Sequence, residues 1–579
     1  MTPSRFRFLP LYAGLALTAA CGQHVVRAEP SAEPQPEAAA EPVAAARPAA
    51  ALPAQPLTPD ILYQFLLAEI AGQRGEIGLS KSLYLDLARE TRDPRLARRA
   101  AEIAVFARDE AGALEAARLW AESDPASERA QQTLIALLLN GGRIDEAEPL
   151  LKRFLARDPA AGFMHLPALL GKTRDTRASL QLVERLAAEY PTLAEAQLAV
   201  AQAAVAAGRV EEALAALARA DALKPGWESA AVYRAQLLAR SSRTDALAFL
   251  REFVERYPKA SEARLAYARM LVNANQVSEA RDQFTRLTRD FPGNADVSLA
   301  AGLLSLQMGD AKAAEQFLQQ ALEYGHKDAD TVRFYLGQAA EEQKRFEDAA
   351  NHYRQVAGGE YLVQARARLA AMLARDGKLD EARALLRQTV AENPSQQIRL
   401  IQAEAELLRE ARDYAGAFEV LSAGVARFPD TPDLLYDRAM MAEKLGKLDV
   451  MEADLRRVIE LRPDDAHAYN ALGYTLADRT SRLDEALTLL EKALELAPDD
   501  AFILDSVGWA HYRKGNLARA QEFLERAYAI RRDPEIAAHL GEVLWMRGKR
   551  EEAGALWQSS LKDNPQNEVL LDTVRRLQH

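Results

Sequence analysis

The chain has 579 residues, of which 49% are hydrophobic and 27% charged, and its formal net charge is −11. A single hydrophobic core rarely grows to this length, so we expect several domains or a repeat array. The acidic balance argues against nucleic acid as a partner, because nucleic-acid-binding proteins present concentrated basic surfaces. It also argues against an electrostatic grip on anionic lipid headgroups.

The first twenty residues have the pattern of an export signal. Arg5 and Arg7 precede a mostly apolar stretch at 8–16 and three small residues at 18–20. The apolar stretch is too short to span a bilayer permanently. The chain's only cysteine, Cys21, follows directly.

Residues 17–21, Leu-Thr-Ala-Ala-Cys, resemble the lipoprotein box of bacteria. The resemblance implies that residues 1–20 are a lipoprotein signal peptide, removed before Cys21, and that Cys21 is lipidated. Two or more acyl chains anchor a protein stably. Gly22 stands where an aspartate retains enterobacterial lipoproteins in the inner membrane, so the resemblance implies a periplasm-facing position on the outer membrane. An ordinary secretory cleavage site beside an incidental cysteine is the alternative.

Residues 21–58 are predicted to be the acylated cysteine followed by a tether rich in Ala, Pro and Glu. Residues 30–36 read Pro-Ser-Ala-Glu-Pro-Gln-Pro. This composition buries too little apolar surface to offset the entropy of ordering, and its prolines favour extended conformers. A coil of this length would reach roughly 35 Å.

From about residue 59 the sequence repeats with a period close to 34 residues. The first six prolines of the series are 34, 32, 34, 33 and 34 residues apart. The prolines that mark the period are Pro125, Pro159, Pro191, Pro225, Pro258, Pro292, Pro394, Pro429, Pro463, Pro498 and Pro565. His326, Tyr361 and Arg532 occupy the missing places without breaking the period. Such a period is typical of a solenoid whose units bury their apolar faces against their neighbours.

Other residue types recur at fixed places within each period. In one copy the small residues Gly541 and Ala553 occupy the eighth and twentieth places, Gly548 the fifteenth, Trp557 a large apolar place and Pro565 the end. Small residues let two helices approach closely, and the glycine near the fifteenth place suits a left-handed helix end. These residues resemble the tetratricopeptide repeat. The resemblance implies an all-α fold, an α-solenoid superhelix of about 14 helical hairpins over 59–565, and a C-terminal capping helix at 566–579.

Two places depart from the pattern. Gly162, Pro167 and Gly171 are predicted to interrupt the first helix of the unit at 160–191. Gly358 and Gly359 lie at a repeat boundary without its proline. These features are either tolerated drift or a hinge between an N-terminal and a C-terminal subarray.

No pattern of catalytic or metal-ligating residues is found in the sequence. The eight histidines have no zinc-ligand spacing. His511 and His539 lie in the first helices of neighbouring units and could approach each other, although a packed or groove-lining role is favoured. Residues 75–82 superficially resemble a phosphate loop but have the wrong spacing and lie between two helices. We therefore predict no enzymatic activity, catalytic residue, metal site or cofactor.

A tetratricopeptide array binds partners chiefly along the concave face formed by its first helices. Six residues are predicted to be exposed there and to contact a partner: Arg264, Tyr267, Arg333, Tyr335, Arg366 and Tyr436. Tryptophans can anchor interfaces, but Trp557 occupies a core place and core packing is favoured for most of them.

Residues 469–478 and 505–509 resemble the tetratricopeptide lipoproteins that act as adaptors of periplasmic carboxyl-terminal processing proteases. The resemblance implies that the chain binds and helps activate such a protease and delivers protein substrates such as cell-wall hydrolases. The alternative is an assembly scaffold for an envelope machine, namely exopolysaccharide export or a pilus.

Overall fold

A computed structural model describes residue 53 and residues 55–171, 173 and 175–578. The predicted signal peptide, the lipidation residue Cys21 and nearly all of the tether lie outside these residues. The described residues form 31 helices in two compact units, one ending at Gly325 and the other beginning at His326. No described helix is both long and apolar enough to cross a membrane.

The first unit contains eight helical hairpins. Their helices are α1 (Pro59–Gln73), α2 (Ile77–Thr91), α3 (Pro94–Phe106), α4 (Glu110–Ser123), α5 (Glu128–Asn140), α6 (Ile144–Leu155), α7 (Pro159–Leu170), α8 (Thr176–Ala188), α9 (Ala194–Ala206), α10 (Val210–Leu223), α11 (Glu228–Leu238), α12 (Arg243–Arg256), α13 (Ser261–Asn273), α14 (Val277–Asp290), α15 (Ala295–Gln307) and α16 (Ala311–Glu323).

The second unit contains seven hairpins and a single terminal helix. Its helices are α17 (Ala329–Glu342), α18 (Phe346–Gln355), α19 (Leu362–Arg375), α20 (Leu379–Gln388), α21 (Pro394–Glu410), α22 (Tyr414–Arg427), α23 (Pro432–Lys444), α24 (Leu448–Leu461), α25 (Ala466–Arg479), α26 (Leu483–Leu496), α27 (Ala501–Arg513), α28 (Leu517–Ile530), α29 (Pro534–Met546), α30 (Arg550–Asp563) and α31 (Glu568–Gln578). The predicted all-α solenoid of tetratricopeptide hairpins is confirmed, with fifteen hairpins in the described residues where about fourteen were expected.

The turn inside a hairpin requires a left-handed backbone residue. Gly208 and Gly548 have φ of 73° and 83° at this place. Asn275 and Arg412 adopt the same conformation, with φ of 57° and 61°, where the repeat lacks its glycine. The turn geometry is therefore kept even where a side chain makes it less favourable.

Small residues bring the two helices of a hairpin into contact. A Cβ atom added at Gly302 or Gly508 would lie 2.7 Å from the Cγ atom of Leu318 or Leu524 on the paired helix. At Gly541 the added atom would overlap the Trp557 ring, which is fully buried. The eighth place thus sets the distance between the helices, as the sequence predicts.

The predicted interruption of the helix at 160–171 is wrong. Helix α7 runs without a break from Pro159 to Leu170 and contains Pro167, and Gly171 is only its C-cap. A proline removes one backbone donor, and here only the last turn lies beyond it. Gly162 is buried against Leu155, whose Cδ2 would be 2.7 Å from an added Cβ, so the glycine serves close packing.

The repeat boundary at Gly358 and Gly359 is hydrogen-bonded to the preceding hairpin. Gly359 has φ of 76°. The Asp330 carboxylate, on α17, accepts hydrogen bonds from the backbone N–H groups of Ala357 and Gly358 at 3.0 and 2.8 Å. These bonds hold the connection between α18 and α19 against the first helix of its own repeat.

Candidate functional site

The richest polar cluster lies on the first helices of the C-terminal repeats. Helices α25 and α27 pack side by side, as do α29 and α31. We call the surface formed by α21, α23, α25, α27 and α29 the C-terminal first-helix face. It contains residues 469–478 of α25 and 505–509 of α27.

A buried ion pair joins α27 to α29. Nδ1 of His539 lies 3.0 Å from both carboxylate oxygens of Asp505. The imidazole also stacks on the Trp509 ring, with ring centroids 4.2 Å apart. Burial disfavours the charged ring, but the Asp505 carboxylate, helped by Glu542 and Asp478, outweighs it and raises the pKa of His539.

A second buried carboxylate, Glu542, connects α29 to α31. Its side chain is 2% exposed. It accepts a hydrogen bond from the Tyr512 hydroxyl at 2.8 Å and two from the Arg576 guanidinium at 3.0 and 2.5 Å. Burial, together with the bond to this carboxylate, raises the pKa of Tyr512 to about 12.

Asp478 links α25 to α27. Nε1 of Trp509 donates to its carboxylate at 3.2 Å, and Arg513 donates to its backbone carbonyl. Trp509 is therefore fixed from two sides, by this bond and by the His539 ring. The Trp509 and His539 rings form the aromatic wall of the cluster.

Four polar groups on the same face have no hydrogen-bond partner among the described residues. Oδ1 of Asn470 is buried and unpaired. The hydroxyls of Tyr474 and Tyr436 and the Nε2 of His539 likewise make no bond. Asn470 and Tyr474 are one helical turn apart on α25, and the Tyr474 and His539 rings are 6.4 Å apart. An unpaired buried polar group is costly, so Asn470 in particular is suited to hydrogen-bond a partner.

Two of the predicted contact residues are buried in the core, so their predicted exposure is wrong. Arg264 is 3% exposed and Tyr267 is 0% exposed. Arg264 donates to the Gln283 side chain at 2.8 Å, and the Tyr267 hydroxyl donates to Glu279 at 2.6 Å. Tyr267 directly precedes the small residue Ala268, which places it at the seventh, core position of its repeat.

Three other predicted contact residues are half-buried and bonded within the array. Arg333 pairs with Asp330 at 2.9 Å. The Tyr335 hydroxyl lies 2.8 Å from that of Tyr361, and Arg366 donates to the backbone carbonyl of Arg354 at 3.2 Å. Tyr436, on α23, is the predicted residue that lies on the C-terminal first-helix face.

The two histidines considered as metal ligands have separate environments. His511 stacks on Phe523 with centroids 5.6 Å apart, whereas His539 stacks on Trp509. In the described part of the chain no three His, Cys, Asp or Glu residues are grouped to hold a metal ion.

The sequence analysis missed the cluster of Asp505, Trp509, His539 and Glu542, although the period contains a signal for it. Asp505 and His539 are 34 residues apart, and so are Glu542 and Arg576. Residues one period apart on first helices are spatial neighbours in stacked hairpins. A search for opposite charges at this spacing would have found both pairs.

Comparison with known proteins identifies the family. Tetratricopeptide repeat models match residues 169–226, 237–304, 299–361, 336–397, 402–450 and 464–533. The chain is 35% identical over 486 residues to TPR repeat-containing protein PA4667 of Pseudomonas aeruginosa, an alignment covering 83% of this chain and 82% of that protein. The chain therefore belongs to the tetratricopeptide repeat proteins. The repeats define a protein–protein interaction scaffold, and no catalytic family is indicated.

Solved structures of helical-repeat proteins are also similar. MamA of Desulfovibrio magneticus RS-1 aligns with a TM-score of 0.26 and 19% identity, covering 30% of this chain and 97% of MamA. A chain of the APC/C hetero-tetramer Cut9-Hcn1 aligns with a TM-score of 0.29 and 15% identity, covering 84% of this chain and 97% of that one.

Proposed function

We propose that this protein is a non-enzymatic, lipid-anchored scaffold on the periplasmic side of the outer membrane. It binds and helps activate a carboxyl-terminal processing protease and delivers substrates such as cell-wall hydrolases. The observation that carries the proposal is the set of unpaired polar groups on the C-terminal first-helix face. Two members of this set, Asn470 and Tyr474, lie in the segment 469–478, whose sequence resembles the protease adaptors.

The chemistry of the face supports protein binding rather than catalysis. Asn470 offers an amide acceptor, and Tyr474 and His539 offer donors beside the fixed Trp509 ring. Donor and acceptor groups beside an aromatic ring match the backbone and side chains of a polypeptide. Asp505 orients the imidazole of His539 through Nδ1, and no described Ser, Thr or Cys side chain is hydrogen-bonded to the ring.

The predicted anchor and tether support the placement. A lipid at Cys21 and the predicted tether of 37 residues would confine the array close to the membrane. Binding protease and substrate to one tethered surface raises their effective concentration without any new chemistry. The variant Cys21→Ser is expected to move the protein from the membrane to the soluble periplasmic fraction, and membrane retention of this variant would contradict the anchor.

The function is tested with purified components. The mature protein is added to a periplasmic carboxyl-terminal processing protease and a cell-wall hydrolase, and the rate of hydrolase cleavage is measured. We expect acceleration, and the double variant Asn470→Ala, Tyr474→Phe should require about tenfold more scaffold for the same rate, since each lost hydrogen bond costs about 0.5–1.5 kcal/mol. Glu491→Ala, an exposed change on α26, is the matched control. Cleavage that is unchanged by the scaffold would refute the proposal.

A further inference from the structure

The two ends of the array have opposite surface chemistry. At the C-terminal end, α31 buries Leu570 and exposes the charged residues Asp572 and Arg575. At the N-terminal end, α1 packs on α2 and leaves large apolar side chains open. These are Leu62, Tyr63, Phe65, Leu66 and Ile70, which are 42%, 66%, 37%, 49% and 46% exposed. We call this surface the α1 face.

The α1 face has the form of a helix–helix interface. Leu62, Leu66 and Ile70 are spaced four residues apart and form one stripe along a helix about 22 Å long. Terminal repeats of solenoids normally present a polar outer surface. The exposed apolar area of the α1 face is on the order of 500 Å², which is large for a surface that stays in water.

The charge of α1 and the composition of the segment before it limit what could cover the α1 face. Helix α1 carries Asp60 and Glu69 and no Lys or Arg, whereas helices that lie on membranes are rich in basic residues. The preceding segment, 21–56, consists mainly of Ala, Pro and Glu and has few large apolar side chains to cover the stripe. The charged outer side of α31 does not complement it, which excludes head-to-tail stacking of copies.

We propose that the α1 face binds the α1 face of a second copy of this chain, head to head and antiparallel about a two-fold axis near Leu66. In this arrangement Leu62 of each copy meets Ile70 of the other, and Asp60 approaches Arg74, which follows the end of α1. An isologous contact of this kind closes as a dimer and leaves no free apolar end. The two faces together bury on the order of 1,000 Å², the lower limit of a specific interface, so the dimer is weak. This inference is independent of the proposed function.

The first experiment is sedimentation velocity on the soluble Cys21→Ser protein across the micromolar range. We expect a monomer–dimer equilibrium, and Leu66→Asp should raise its dissociation constant by at least about tenfold. Leu223→Asp is the matched control, since Leu223 is 39% exposed and isolated at the end of α10. Circular dichroism establishes that both variants remain helical.

The second experiment uses the absence of other cysteines. In the Cys21→Ser background, Leu66→Cys should form a disulfide-linked dimer under mild oxidation, and Leu223→Cys should not. A protein that stays monomeric throughout the range, or Leu66→Asp behaving like Leu223→Asp, would overturn the proposal. The proposal would also be overturned if the protein did not self-associate and instead bound lipid vesicles or the protease through Leu66. The α1 face would then be assigned to that partner.

Discussion

At the scale of single residues, glycines at the eighth place determine how closely the helices of a hairpin approach. Gly541 is the clearest case, because an added Cβ would overlap the ring of the buried Trp557. This is a packing requirement and not a matter of backbone conformation, since Gly541 lies within the regular helix α29.

We predict that Gly541→Ala destabilises the C-terminal repeats by about 1–3 kcal/mol, the usual cost of overfilling a packed core. Gly78→Ala is the control, because Gly78 lies in α2 with no atom near an added Cβ. That change should be neutral or stabilise by up to about 1 kcal/mol. Native-state hydrogen exchange of the α29 and α30 amides measures the first effect, and that of the α1 and α2 amides measures the second. Equal protection in the two variants would contradict the packing argument.

The Asp505–His539 pair predicts a pH dependence of stability. The pKa of His539 is raised in the folded chain, so the protonated ring stabilises the fold. The contribution is complete below the ordinary histidine pKa of about 6.5 and is lost as the pH rises through the higher folded value. The difference in unfolding free energy between the wild type and His539→Gln should therefore shrink with increasing pH. Parallel curves for the two proteins, measured by denaturant unfolding, would contradict this.

At the scale of elements, the terminal helix α31 is held by the buried side chain of Leu570 and by an ion pair to the buried carboxylate of Glu542. Arg576 binds Glu542 through two hydrogen bonds, although the arginine side chain itself is 52% exposed. We predict that Arg576→Ala costs about 1–2 kcal/mol, because it leaves Glu542 with only the Tyr512 hydroxyl. Hydrogen exchange in α31 should accelerate roughly 5- to 30-fold. Arg575→Ala, on the exposed side of the same helix, should leave exchange unchanged, and a similar effect in both variants would exclude the proposed role of Glu542.

The sequence predicts the helices and turns well where the same residue types recur from one repeat to the next. Prolines and glycines recur with the period at the helix boundaries: Pro159 is the first residue of α7, and Gly548 lies in the turn between α29 and α30. The prediction failed at Pro167, which α7 accommodates with the loss of one backbone hydrogen bond to the preceding turn. It also failed at Arg264 and Tyr267, which donate hydrogen bonds to Gln283 and Glu279 within the array. Such bonds between helices do not show in the residue types alone.

At the scale of the whole molecule, the array offers two distinct surfaces for partners. The C-terminal first-helix face presents unpaired polar groups beside an aromatic wall, and the α1 face presents an apolar stripe. The C-terminal first-helix face suits sequence-specific binding of a polypeptide, and the α1 face suits a symmetric contact between two copies of the chain. The sequence predicts binding at the C-terminal first-helix face only as a general property of first helices. Whether Asn470 is paired depends on whether a neighbouring side chain hydrogen-bonds to it, and the sequence alone does not show this.

The central claim, that the C-terminal first-helix face binds the protease or its substrate, is tested most directly by photocrosslinking in intact cells. A photoreactive residue is placed at Asn470 and, as a control, at Glu491 on the exposed side of α26. The account predicts an adduct between position 470 and a carboxyl-terminal processing protease or a cell-wall hydrolase, and none from position 491. Absence of these adducts at position 470, or equal yields at both positions, would contradict it.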